Sequence, residues 1–393
     1  MTLPTSPFRS HRSGRRKQRM GVAGAAVSLL VAGALLGPAR FPSFSDGRPA
    51  IRYLRTLILD EDYRDLEIDF HAMHNFADVS SEHHSDRGVP FFWHILKSGG
   101  TTVKELYTTC YRMIEANEIG VTEGHENDED LAIVDFRGAR YVNVDTTTLA
   151  GIQKAKEMGL VKSRMSDIIF SPYIIEVATD LFVKDYDVPG KMFSVFRDPV
   201  ERVTSMFYYL QKATWEPTYN PALANMTLEE YASSPLIESN WMVRTLVRKP
   251  EAPLTLDDIE VAKETLNRKC LVGLLDHLEE SLDRFDKYFG FGPVEGKADP
   301  GEATQCRMDL LGKGGANSNK AAKPIALDPN SEAVKTMKIK NWADIILYEY
   351  IQRLWKAQAE WFEDEDAWAL DKETNPYLKP ESVRVLNILR KHW

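Results

Sequence analysis

The chain has 393 residues, 43% of them hydrophobic and 27% charged, with a formal net charge of −9. That is enough apolar material for one large folded body or two ordinary ones, and it excludes a fibrous or wholly disordered chain. The acidic balance argues against nucleic acid as a partner, because phosphate backbones attract faces rich in Lys and Arg. A local pocket for a small anion is not excluded by it.

The first nineteen residues hold Arg9, Arg12, Arg15, Arg16, Lys17 and Arg19 and no acid, and Met20–Gly37 is free of charge. As a helix that run would be about 27 Å long, close to the thickness of a bilayer core. Basic flanking residues hold a terminus in the cytoplasm, so the segment is expected to be a signal anchor that places the rest of the chain in a lumen. The alternatives are a cleaved signal peptide, giving a secreted protein, or a plastid or mitochondrial targeting segment. The expected organisation is a cytoplasmic tail over 1–19, a membrane anchor over 20–39, a stem over 40–89 and a luminal domain over 90–393. The sequon Asn225-Met226-Thr227 is compatible with a luminal body. In the stem, His71, His74, His83 and His84 match no metal-ligand spacing and read as linker residues.

The body alternates short apolar runs with helical periodicity. Strands are expected at Phe91–Leu96, Ala139–Val144, Ile168–Phe170, Lys191–Phe196 and Cys270–Leu275. Between them, helical spacing marks Val103–Ile114, 149–160 and the stretch after Pro199. Leu274–Phe289 gives another helix, stopped by Gly290, and Trp342–Leu354 a last one. Residues 119–130 and 291–325 read as loops. This order predicts an α/β fold of three layers, a central mostly parallel sheet covered by helices on both faces. Cys110, Cys270 and Cys306 are too few for a disulfide framework or a structural zinc site. One bridge would be allowed in an oxidising compartment, and Cys270 with Cys306 is the expected pair.

Two segments carry chemistry. Lys97-Ser98-Gly99-Gly100-Thr101-Thr102 lies between the first strand and a helix. Its amides can cradle phosphate or sulfate oxygens, the glycines let the backbone approach, Lys97 adds charge and the hydroxyls donate hydrogen bonds. The lysine precedes the glycines, unlike the nucleoside-triphosphate loop, and no paired acids for magnesium stand out. The second segment runs from Phe196 to Ser205. Asp198 is a good helix N-cap, Pro199 suits the first helical turn, and Glu201 would complete a capping box. Arg197, at a strand's carboxyl end, and Ser205, eight residues later, can close around one phosphate.

Lys97–Thr102 resembles the 5′-phosphosulfate loop of the sulfotransferase superfamily, in the double-glycine version of Golgi-type membrane-anchored carbohydrate sulfotransferases. Phe196–Ser205 is similar to that family's 3′-phosphate motif. Fainter similarity runs through Phe207–Trp215, Asn240–Arg244 and Val272–Phe289, covering roughly 90–355 in all. Leu311–Lys320 is similar to the loop that closes over the nucleotide, which implies contacts from Gly312, Lys313 and Lys320. The resemblance implies transfer of a sulfuryl group from 3′-phosphoadenosine 5′-phosphosulfate (PAPS) to a hydroxyl of a glycan or glycoprotein, in a Golgi membrane, without a metal. It further implies that Lys97 stabilises charge growing on the leaving oxygen. The general base is left open among His125, Asp145, Glu105 and His94, of which His94 reads better as support for the loop. An ATP-dependent kinase of similar architecture and a luminal glycan-binding protein without catalysis are the alternatives.

Overall fold

A computed structural model describes residues 70–80, 88–183, 188–214, 216, 219–312 and 327–362. Seven strands form one sheet: β1 (Val89–Trp93), β2 (Ile114–Ala116), β3 (Ile133–Phe136), β4 (Ala139–Val142), β5 (Ile168–Ser171), β6 (Gly190–Phe196) and β7 (Cys270–Leu274). Their spatial order is β3-β4-β2-β5-β1-β6-β7. Only β3 runs antiparallel, paired through Asp135 with Arg140 and Phe136 with Ala139. The central strands are apolar throughout because both their faces are covered, and neighbouring side chains go to opposite layers. Phe91 and Trp93 join one core cluster and Phe92 the other.

The principal helices are α1 (Gly100–Glu105), α2 (Leu149–Glu157), α3 (Pro199–Leu210), α4 (Trp241–Leu246), α5 (Leu256–Lys269), α6 (Leu278–Phe289), α7 (Pro300–Gly312), α8 (Glu332–Lys340) and α9 (Trp342–Ala359). Residues of α1, α6 and α7 share the cluster of Phe92 and Phe193, while α2, α4, α5 and α9 share that of Trp93 and Val272. The three-layer α/β arrangement expected from the sequence is therefore present. A third cluster unites α3 with α8 and the helical turn Leu228–Ser233.

Several elements differ from expectation. The five anticipated strands are present, but β2 and β3 were not anticipated: β2 is three residues long with an acid at its centre, and β3 is an edge strand whose Ile133 is 44% exposed. The helix after Gly100 widens into a π turn at Leu106–Cys110 and stops there. Residues Glu118–Asn127 are two kinked helical turns rather than a loop. The expected loop 291–325 contains α7, begun by Asp299, whose carboxylate accepts from the amides of Gly301 and Glu302. The body also begins before Pro90, since Met73 and Phe76 are buried and Phe76 pairs with Gly190 at the start of β6.

The disulfide is Cys110–Cys306, not Cys270–Cys306. Cys110 and Cys306 belong to one layer of the core, whereas Cys270 starts β7 with its thiol buried in the other. Among the described residues no helix is long and apolar enough to cross a membrane. The run Met20–Gly37 lies outside them, as do most of the stem, Lys313 and Lys320.

Candidate anion-binding site at the carboxyl edge of the sheet

β1 and β6 are neighbours, yet the chain leaves them in opposite directions: from β1 toward β2 on one side, from β6 toward β7 on the other. Loops that diverge in this way open a crevice at the carboxyl edge, where open α/β sheets hold their ligands. Lys97–Thr102 follows β1 and Arg197–Ser205 follows β6, so both segments border this crevice. They also touch. One guanidinium nitrogen of Arg197 donates to the Lys97 carbonyl at 3.4 Å across a hundred residues of sequence.

The loop is unusual in conformation and solvation. Lys97 has φ 68° and Gly99 φ 88°, both in the left-handed region. Ser98 is 1% exposed, and its hydroxyl has no hydrogen-bond partner among the described residues. A Cβ on Gly100 would lie 2.2 Å from the His94 ring, so only glycine fits beneath the loop. Thr101 and Thr102 occupy the first turn of α1, where the amides of Thr102 and Val103 donate to the Gly99 carbonyl at 3.0 and 3.3 Å. The Lys97 ammonium stands 4.2 Å from the centre of the Tyr209 ring on α3. Tyr209 in turn bonds Glu216 through its hydroxyl. Burial, then the nearby Arg197, lower the Lys97 pKa from its ordinary value, against an opposing pull from Glu216. Burial, with Lys104 and Lys97 nearby, depresses His94 to about 3, so its imidazole is neutral.

On the second segment, Asp198 caps α3 by accepting from the amides of Val200 and Glu201 at 2.9 and 3.0 Å. The expected reciprocal arm is replaced: the Glu201 carboxylate takes Arg197 at 3.1 and 3.2 Å. Ser205 is half-buried one turn beyond Glu201 and hence on the same stripe of α3.

Farther along the edge, Lys104 of α1 pairs with Glu118 at 2.7 and 2.8 Å. Glu118, 45% exposed, follows β2 and went unnoticed in the sequence, because fourteen residues and a π turn separate it from its lysine. Below it, Glu115 is fully buried. One of its oxygens accepts from Asn117 at 2.8 Å and the other has no partner among the described residues, and burial pushes its pKa well up. Asn117 caps the turn that begins at Glu118 by accepting from the Ile119 amide.

The candidates for a base fall in different places. Asp145 follows β4 and spends its carboxylate on the Thr147 amide and the hydroxyls of Thr147 and Thr148, at the start of α2. His125 bonds Asp128 at 2.8 Å, which Asn143 also holds. Glu105 ends α1 with its side chain largely exposed, and the desolvation of its inner part raises its carboxyl pKa. His94 supports the loop from below. Gly312 is the last residue of α7, which the Cys110–Cys306 bridge fastens to the end of the π turn.

No family model matches the chain, and no curated protein matches it either.

Proposed function

We propose that the chain is a PAPS-dependent sulfotransferase acting on a hydroxyl of a glycan. The observation that carries the reading is the contact between Arg197 and the Lys97 carbonyl. It supports one ligand spanning both segments, with negative groups at each end of its ribose. The residues fit such a donor. The Ser98 hydroxyl is buried without a partner, which is costly unless a ligand accepts from it, and Gly100 keeps the loop clear of side chains. Ser98, Thr101, Thr102 and the loop amides would hold the 5′-phosphosulfate, and Arg197 with Ser205 the 3′-phosphate. Gly312, at the end of α7, would be the described member of the expected nucleotide contacts.

When bound, the donor supplies the sulfuryl group and the leaving phosphate. Lys97, a partly desolvated cation at the loop, would oppose negative charge developing on the leaving oxygen more than charge in the ground state. Among the carboxylates, Glu118 suits the general base best. It is paired with Lys104 at 2.7 Å, it is reachable by an acceptor, and it stands on the same edge as the loop. The Cys110–Cys306 bridge supports an oxidising compartment, in line with an anchored luminal body in the Golgi.

The test is equilibrium binding of adenosine 3′,5′-bisphosphate without divalent metal, followed by transfer of labelled sulfate from PAPS to a glycan panel. Arg197→Ala should weaken nucleotide binding about 10- to 100-fold, the loss of a charge-assisted hydrogen bond. Lys97→Ala and Glu118→Gln should lower turnover far more than donor affinity. Failure of the intact protein to take up the bisphosphate would sink the proposal.

A further inference from the structure

The opposite edge of the sheet presents a second charged feature. The parallel strands β4, β2 and β5 are consecutive in the sheet and all begin there. Arg112 stands two residues before β2, Arg137 is in the turn between β3 and β4, Arg140 is the second residue of β4, and Arg164 ends the helical turn Leu160–Ser163 just before β5. Hydrogen bonds tie the first three together: Arg112 donates to the Gly138 carbonyl at 2.6 Å, and Arg140 donates to the Arg112 carbonyl at 2.8 Å. The amino ends of β2 and β5 are joined by the Asp167 amide to the Ile114 carbonyl, with the Asp167 carboxylate on the Ile114 amide. The row therefore crosses two strand spacings, about 10 Å.

Two facts bear on these arginines; Arg248 shares both elsewhere in the fold, so what distinguishes the four is their gathering at one edge. Among the described residues none of the four has a carboxylate within ion-pair distance, although the chain as a whole is acidic. The nearby acids are Asp135, opposite Arg140 in the hairpin, and Asp167, held by a backbone amide. Moreover Arg112, Arg137 and Arg164 have φ of 61°, 50° and 52°, positions that glycine or asparagine fill with less strain. Arg137 with Gly138 forms a two-residue hairpin turn with both φ positive, where Asn-Gly is the usual pair. One residue type breaking the same local rule at three neighbouring strand ends indicates that its charge is what those positions serve.

We propose that this edge is a docking surface for an acidic polysaccharide, so that the glycan acceptor inferred above is a long chain carrying repeated carboxylate or sulfate groups. This deepens the sulfotransferase reading and rests on it for the link to catalysis. Arginine forks match the paired oxygens of carboxylate and sulfate. A row rather than a disc fits a linear polymer, and none of the exposed large apolar side chains belongs to these turns, which disfavours a membrane surface.

The test measures binding of the full chain in detergent to immobilised polygalacturonate and dextran sulfate, with uncharged dextran as blank and anionic phospholipid vesicles as a parallel arm. The double variant Arg137→Asn/Arg164→Gly suits the left-handed backbone better than the native residues, so its melting temperature should be equal or higher. Its affinity for both polyanions should nevertheless fall at least tenfold at physiological salt, with a shallower salt dependence, while bisphosphate binding at the other edge is unchanged. Unaltered polyanion affinity in the double variant would overturn the proposal, as would binding to the vesicles with neither polysaccharide retained. If the wild type binds polyanions through these arginines but takes up no bisphosphate, the sulfotransferase reading falls while the docking surface stands.

Discussion

Reducing the Cys110–Cys306 bridge should lower stability chiefly by releasing the unfolded chain. The two residues are 196 positions apart, so the closed loop is long. Loop-closure entropy for that length is about 18 cal/mol/K, a ceiling near 5 kcal/mol at 25 °C, of which ~2–4 kcal/mol is ordinarily realised. The folded state should change little, because α7 stays docked by Arg307. Its guanidinium reaches Asp283 at 2.5 Å, Asp286 at 2.7 Å and the Tyr111 hydroxyl at 2.9 Å. At roughly 2–3 °C per kcal/mol for a body of this size, the melting temperature should fall by about 4–12 °C. Scanning calorimetry with and without reductant measures this, and Cys306→Ser should reproduce it. Thiol titration in denaturant gives an independent check: Cys270 alone should react before reduction, and all three cysteines after it. Three reactive thiols without reductant, or an unchanged melting temperature on reduction, would refute the assignment.

Ser98→Ala should leave stability unchanged or raise it by about 1 kcal/mol, since it removes a buried hydroxyl without a partner. The same change should weaken bisphosphate or PAPS binding several-fold, and parallel melting and titration experiments separate the two effects. His94 gives a pH dependence of definite sign. Its folded pKa is about 3, below the ordinary 6.5, so between these values the unfolded chain binds a proton that the folded chain does not. Stability is then fully present above about pH 6.5 and declines as pH falls toward 3, with a ceiling near 1.4 kcal/mol per pH unit and less for a residue that keeps some solvent contact. Denaturant titrations should show a steeper acid decline for the wild type than for His94→Gln, and parallel curves would count against the buried neutral imidazole.

What the sequence made legible follows physical contrast. Phe91–Phe92–Trp93 and Cys270–Leu274 are apolar runs bounded by polar turns, and both are strands. β2 escaped because a strand of three residues with Glu115 inside carries no apolar signature, although it positions Glu118. α7 escaped although Asp299-Pro300 has the same cap-and-proline opening as Asp198-Pro199. It buries only Ala303, so its periodicity is faint. The cysteine pairing was beyond reach of linear reading, because it depends on which layer each element joins. Cys110 and Cys306 share a layer that Cys270 does not. The two strand–loop–helix segments at Lys97 and Arg197 were legible in the sequence, whereas their contact required the strand order that sets β1 beside β6.

That contact has an energetic reading of its own. Lys97 and Arg197 bring two cations together at one edge, with Lys97 drawn partly out of water and its backbone held at φ 68°. Glu201 offsets Arg197, but no carboxylate reaches Lys97 within ion-pair distance among the described residues; its ammonium rests on the Tyr209 ring instead. Add the partnerless hydroxyl of Ser98, and the crevice concentrates groups that are each unfavourable in the folded protein alone. In the proposed reading, an anion with oxygens on both sides would relieve these costs together, by offsetting the two cations and accepting from the buried hydroxyl. A purely structural turn would gain nothing from gathering such groups where β1 and β6 diverge.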